Sequence, residues 1–277
     1  MDGAMGTQLQ LQGLPQNCCA EQWNLTQTDT VEAIHQAYIQ AGASFLLTNT
    51  FQANSAALAK HGLENNVRDI WRAAMASARR AADGRAWILA DVGPCPGDSN
   101  LPFSEMVGGT EGILFETFSD PASLELLVGK TRAAGPLAPL ILASFSYQRS
   151  ATDQLQTASG FSPEEVAERV TSVGLGALGV NCGREISLKD IAEIVSRYRQ
   201  VSALPIFARP NAGTPSRVDG RWHYPRSTAE MASGLRAILE AGATMIGGCC
   251  GTSPAHIAAF APVIEAWNAG RVTKRQR

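Results

Sequence analysis

Three times along this chain a helical segment stops at a glycine and a short apolar run begins at once. The junctions are Ala41-Gly42-Ala43 before Ser44 to Thr48, Gly174-Leu175-Gly176-Ala177 before Leu178 to Asn181, and Ala241-Gly242-Ala243 before Thr244 to Gly247. Glycine tolerates the left-handed conformation that ends a helix, and short continuous apolar runs suit strands buried on both faces. Runs of the same kind stand at Ala86 to Val92, Gly112 to Thr117, Leu140 to Phe145 and Pro205 to Arg209. Amphipathic helices lie between them: Ser227 to Ala241 puts Met231, Leu235, Ile238 and Leu239 on one face, and Asn66 to Asp83 does the same with Val67, Ile70, Trp71, Ala74 and Ala78. Ser162-Pro163 and Ser253-Pro254 read as hydroxyl caps followed by proline in the first helical position.

This alternation is the pattern of parallel β/α units. With 277 residues, 45% of them hydrophobic, and no linker or low-complexity stretch, it predicts a single (β/α)8 TIM barrel over residues 1–277, a fold that takes roughly 250 residues. A formal net charge of -2 and a charged fraction of 17%, with both signs mixed, give no basic surface for nucleic acid. Membrane spans need about 18 consecutive apolar residues, and none is present. Neither is a signal-peptide pattern, so a cytoplasmic location is expected.

In such a barrel the chemistry gathers at the carboxyl ends of the strands. Those ends carry Asp2-Gly3, Thr48-Asn49-Thr50, Asp91, Glu116-Thr117, Ser144 to Ser146, Asn181-Cys182, Arg209-Pro210-Asn211 and Cys249-Cys250. Adjacent residues of a regular strand point to opposite faces, so Cys249 and Cys250 can converge on one ion only where the backbone departs from that geometry. Gly247, Gly248 and Gly251 around them allow the departure. Cys182 ends another strand, and barrel closure brings it to the same mouth. Three thiolates with one position left over describe a catalytic Zn2+ site, because structural sites fill all four positions with protein ligands. Zinc would deprotonate an incoming thiol whose ordinary pKa is about 8.5 and leave its sulfur nucleophilic. Cys18 and Cys19, in a polar loop, and Cys95, between two prolines, are read as non-ligands, and the four histidines as structural.

The segments Asp2-Gly3-Ala4-Met5-Gly6-Thr7, Leu47-Thr48-Asn49-Thr50-Phe51, Phe115-Glu116-Thr117, Gly179-Val180-Asn181-Cys182, Pro210-Asn211-Ala212-Gly213 and Gly247-Gly248-Cys249-Cys250-Gly251-Thr252 resemble, in order and over nearly the whole chain, the homocysteine S-methyltransferase family. Within it the likeness is to the homocysteine-binding module of cobalamin-dependent methionine synthase. The resemblance implies methyl transfer to the thiol of homocysteine, giving methionine, with Zn2+ on Cys182, Cys249 and Cys250 and homocysteine sulfur in the open position. It also implies that Asp2 and Glu116 hold the amino acid end of the substrate. Carboxylates suit an ammonium group, and Thr48, Asn181 and Asn211 offer hydroxyl and amide groups to complete the pocket.

No donor-binding segment is visible. The resemblance implies a methylcorrinoid on a separate protein as the first expected methyl donor, followed by S-methylmethionine and S-adenosylmethionine. Against the family pattern, the first strand before Asp2 is absent or a stub, and Gly93 to Gly109 leaves little room for the helix between the third and fourth strands. The barrel is thus expected to be incomplete at both places, with unpaired edges. Those departures motivate an alternative reading as a non-catalytic zinc- or homocysteine-binding degenerate barrel, or a fragment of a larger methionine synthase.

Overall fold

The computed structural model describes residues 1–96, 100–134, 140–218 and 221–275. In chain order its strands are β1 (Phe45–Leu47), β2 (Trp87–Val92), β3 (Gly112–Phe118), β4 (Leu140–Phe145), β5 (Tyr147–Arg149), β6 (Leu155–Thr157), β7 (Ala177–Asn181), β8 (Ile206–Arg209), β9 (Ser216–Val218), β10 (Arg221–His223) and β11 (Met245–Ile246). Seven of them form one parallel sheet in the order β1-β2-β3-β4-β7-β8-β11. The apolar runs face one another in register, as in Leu46 with Ile88, Ile113 with Ile141 and Leu178 with Ile206. All seven correspond to strands expected from the sequence, and the junction glycines Gly42, Gly174 and Gly242 have φ of +96°, +76° and +116°. The sheet curls, with helices on its outer face, into a β/α barrel.

The eighth place in the wall, between β1 and β11, is taken by the residues around Asp2. The Asp2 amide donates to Phe45 O at 2.9 Å, Gly248 N donates to Asp2 O at 2.9 Å, and Met1 N donates to Ile246 O at 2.7 Å. The expected unpaired edges are therefore bridged. Short as it is, the segment supplies the polar groups that β1 and β11 each need.

Two apolar layers result. Outside the sheet, the helices bury their stripes against the strands: Met231, Leu235, Ile238 and Leu239 of Thr228–Glu240 are all buried, as are Val67, Ile70, Trp71, Ala74 and Ala78 of Val67–Ala82. Inside the barrel, Met1, Leu47, Leu89, Leu114, Leu142, Ala177 and Phe207 pack into a separate plug. Gly179 makes room for it, since a Cβ there would lie 2.3 Å from the Phe207 ring.

The segment between β2 and β3 contains a helix after all, Phe103–Gly109, seven residues long, anchored by the buried Met106; residues 97–99 of that stretch lie outside the described residues. It sits close enough to Val67–Ala82 that a Cβ on Gly109 would meet Met75 Sδ at 2.5 Å. The cap at Ser162 forms as expected, with Glu165 completing a capping box. At Ser253 the partner is instead His256, whose Nδ1 lies 2.9 Å from Ser253 Oγ. Two hairpins were not expected, β5 with β6 and β9 with β10. Among the described residues no helix is long and apolar enough to cross a membrane.

Candidate metal centre and substrate cavity

Side chains two apart on a strand share a face. Stepping two residues from the barrel plug toward the carboxyl ends therefore gives the next inward layer: Leu89 leads to Asp91, Leu114 to Glu116, Leu142 to Ser144, Gly179 to Asn181 and Phe207 to Arg209. All five are buried. Asp2 joins them from the seam, so a polar layer sits directly on an apolar floor.

Above that layer lie the three cysteines. Their sulfurs are all within 4.8 Å of one another, with Cys182 Sγ 3.9 Å from Cys250 Sγ and Cys249 Sγ 4.0 Å from Cys250 Sγ. Thiolate bonds of about 2.3 Å to one tetrahedral ion would place sulfurs roughly 3.8 Å apart, so this donor set and spacing fit a metal. The backbone makes the convergence possible. Cys182 has φ of +53° and Gly183 of +101°, which turns the chain out of β7. The Cys249 amide donates to Pro210 O and Ala212 N donates to Cys250 O, tying the vicinal pair to the loop after β8. Thr252 returns N–H and Oγ1 bonds to Cys249 O. At Gly251, φ +78°, a Cβ would collide with the Tyr224 ring, so Tyr224 can lie over the cysteine turn.

Amide groups support the sulfurs from behind. Asn181 Nδ2 donates to Cys249 Sγ at 3.6 Å and to Thr117 Oγ1 at 2.7 Å, while Asn181 Oδ1 accepts from Ser144 Oγ at 2.8 Å. Thr117, itself at φ +66°, is placed for this by the register shift in β3 between Phe115 and Phe118. Asn211 Nδ2 reaches Cys182 Sγ at 3.6 Å and Gly183 O at 3.4 Å. Hydrogen bonds from Cys249 and Cys250 hold Cys182 well below the usual thiol range, whereas Cys249 is pushed up to about 11, chiefly by its interaction with the Cys182 sulfur.

The cavity in front of the sulfurs has a volume of about 450 Å³, and the three cysteines share it with Asp2, Thr48, Asp91, Glu116 and Arg209. That size is in the range of small-molecule sites. Arg209, 3% exposed, is ion-paired with Asp2 (3.3 Å) and with Glu116. Asp2 Oδ2 also accepts from Leu47 N at 2.8 Å. Burial raises Asp2 to about 6 and Glu116 to about 7, against the lowering effect of Arg209. Burial likewise raises Asp91 well above the usual carboxylate range, with Glu116 adding to it. Thr48 Oγ1 accepts from the Asp91 amide at 3.0 Å and meets Thr50 Oγ1 at 2.6 Å, joining β1 to β2 at the rim.

Of the eight residues singled out from sequence, Asp2, Thr48, Glu116, Cys182, Cys249 and Cys250 line the cavity. Asn181 and Asn211 direct their amides at sulfur. Sequence reasoning placed Asp91 and Arg209 at strand ends without giving either a role; the two-residue step from Leu89 and Phe207 is the signal that finds them. His61, Cys18 and Cys19 also border the cavity, and the sequence gives no hint of that for the histidine. Burial and Glu21 push the Cys19 thiol up to about 11, and it donates to Glu21 Oε2 at 3.5 Å.

Fold and site together define a β/α barrel carrying a three-cysteine, metal-competent cluster at its carboxyl-terminal mouth, above a buried acidic layer. The chain belongs to the homocysteine S-methyltransferase family, whose profile matches residues 1–264. It is 30% identical to the methionine synthase of Mycobacterium tuberculosis over 95% of this chain and 24% of that protein, and 30% identical to that of Mycobacterium leprae over 100% and 25%. The chain thus spans about a quarter of the length of these relatives. Its fold is shared with the homocysteine methyltransferase MmuM of Escherichia coli. The metallated form of that protein has a TM-score of 0.73 at 23% identity over 94% of each chain, and the apo form 0.70 at 22% identity over 95% of this chain and 94% of that one.

Proposed function

We propose that this chain binds Zn2+ through Cys182, Cys249 and Cys250 and transfers a methyl group to the thiol of homocysteine. The observation that carries the reading is the convergence of three sulfurs within 4.8 Å at the mouth of a cavity that also holds the carboxylates of Asp2, Glu21, Asp91 and Glu116. Bound zinc would supply the charge that strips the incoming thiol of its proton and keeps its sulfur nucleophilic.

The protein's own side chains do the rest. Asn181 and Asn211 donate to Cys249 and Cys182, which fixes the sulfurs and tempers their negative charge. The acidic layer of Asp2, Asp91 and Glu116, partly neutralised by Arg209, leaves the cavity floor electronegative and suited to a substrate ammonium group. The apolar plug beneath keeps water from that layer and strengthens its charges. No general base is needed from the chain. The methyl donor approaches from the open side, and a methylcorrinoid borne on a separate protein is the first candidate, ahead of S-methylmethionine and S-adenosylmethionine.

The test is to incubate zinc-loaded protein with homocysteine and each donor in turn and to assay methionine. Formation of methionine with one of them is expected; no methionine with any of the three sinks the reading.

A further inference from the structure

The vicinal cysteines and the residues around Asp2 come from opposite ends of the chain, and Tyr38 meets both. It belongs to the buried stripe of the helix Thr28–Gln40, with Val31, Ile34 and His35. Its hydroxyl donates to Ala4 O at 3.1 Å and to Thr252 O at 3.2 Å. Thr252 adds a second link, since its Oγ1 accepts from Ala4 N at 3.2 Å and donates to Cys249 O at 2.7 Å. Tyr38 and Thr252 are both fully buried. Two glycines make room for this brace. A Cβ on Gly3 would lie 2.7 Å from Thr252 Oγ1 and 2.9 Å from Tyr38 Oη, and one on Gly248 would lie 2.3 Å from Thr252 Oγ1. The glycines beside Asp2 and before Cys249 thus stand where these two hydroxyls must pass.

Cys249 and Cys250 lie beyond the end of β11, Met245–Ile246, so no ladder of strand hydrogen bonds fixes their sulfurs. Flanking glycines leave the turn free to adopt other conformations. Its place must be set by cross-bonds. Asn181 acts on the Cys249 sulfur itself, whereas the brace acts through the backbone of the turn. A buried carbonyl that loses its donor is costly, so the two hydroxyls favour one placement of the turn over the alternatives. We propose that Tyr38 and Thr252 are positioning residues for the metal centre: they hold the Cys249–Cys250 turn in a fixed place against the Asp2–Ala4 segment, which keeps sulfurs and cavity floor at a set separation. The proposal rests on the zinc reading above and goes beyond it, because neither side chain is among the residues that line the cavity.

The test is zinc affinity of the whole chain by competition with a chelator, together with the visible spectrum of the Co2+-loaded protein, which reports the angles between the sulfurs. Tyr38→Phe removes one oxygen and keeps the ring. It is expected to weaken zinc roughly 10-fold, the low end of what an orienting group contributes, and to shift the Co2+ bands. Val31→Ala, a truncation on the same buried stripe two turns away, controls for lost stability and should leave affinity and spectrum as in the wild type. Equal weakening in the two variants overturns the proposal, because general loosening of the helix would then explain it. Wild-type affinity and spectrum in Tyr38→Phe overturn it as well, and leave the zinc reading intact. A wild-type chain that retains no zinc overturns both the proposal and the reading beneath it. If Tyr38→Phe does not fold, Thr252→Val, which removes the other hydroxyl at nearly constant size, carries the same expectations.

Discussion

The side-chain amide of Asn181 points at the sulfur of Cys249 across 3.6 Å. Because the same amide group is pinned by Thr117 and Ser144, its direction is set before any metal arrives. Asn181→Ala should therefore lower zinc affinity roughly 10- to 100-fold, the usual effect of removing a group that orients a ligand. Competition with a chelator measures it. Unchanged affinity would mean that the cysteine turn alone sets the sulfur.

Metal analysis separates ligands from bystanders. Cys250→Ser is expected to lose most of its zinc, since two sulfurs cannot replace three. Cys95→Ser, at a thiol packed against the outer core, should keep it. Equal zinc content in the two proteins would refute the ligand set.

Arg209 is the guanidinium that Asp2 and Glu116 share. Arg209→Met would leave Asp2 and Glu116 buried without their partner, at a cost of about 3–5 kcal/mol. Urea unfolding at pH 7.5 should show that loss. It should shrink at pH 5, where the abandoned carboxylates take up protons.

Burial pushes Glu116 from the usual 4.5 up to about 7. In that interval the folded protein holds a proton that the unfolded chain has released, so this group's contribution is present below about 4.5 and is lost as pH rises through 7. Glu116→Gln mimics the protonated form and should gain stability relative to the wild type between pH 4.5 and 8. Urea midpoints of the zinc-free proteins compared across that range check it; a gap that stays flat with pH would contradict it.

Gly179 faces the Phe207 ring, and a Cβ would come within 2.3 Å of it. Gly179→Ala should cost about 1–3 kcal/mol in unfolding free energy by overpacking the plug, with zinc stoichiometry unchanged. A neutral substitution would show that the ring can move aside.

The barrel was legible because its strands are buried on both faces, which leaves uninterrupted apolar runs, and because three of them follow a glycine stop. The three-cysteine cluster was legible because vicinal cysteines among glycines have few other uses. The two hairpins were not, since β9 is fully exposed and Tyr147–Arg149 with Leu155–Thr157 is mostly polar, without an apolar alternation to read. Arg209 was hidden for a different reason: a strand-end arginine is ordinarily solvated, and its burial follows only from seeing Asp2 and Glu116, separated by more than a hundred residues, on either side of it.

The wall is joined by bonds from Asp2 to Phe45 on one side and to Gly248 on the other. Gly248 directly precedes the vicinal thiols. A nascent chain that has not yet reached that turn therefore has neither a closed wall nor all three sulfurs of the cluster. Assembly of the three-sulfur cluster and completion of the cylinder therefore both wait on that one stretch, Gly248 to Cys250.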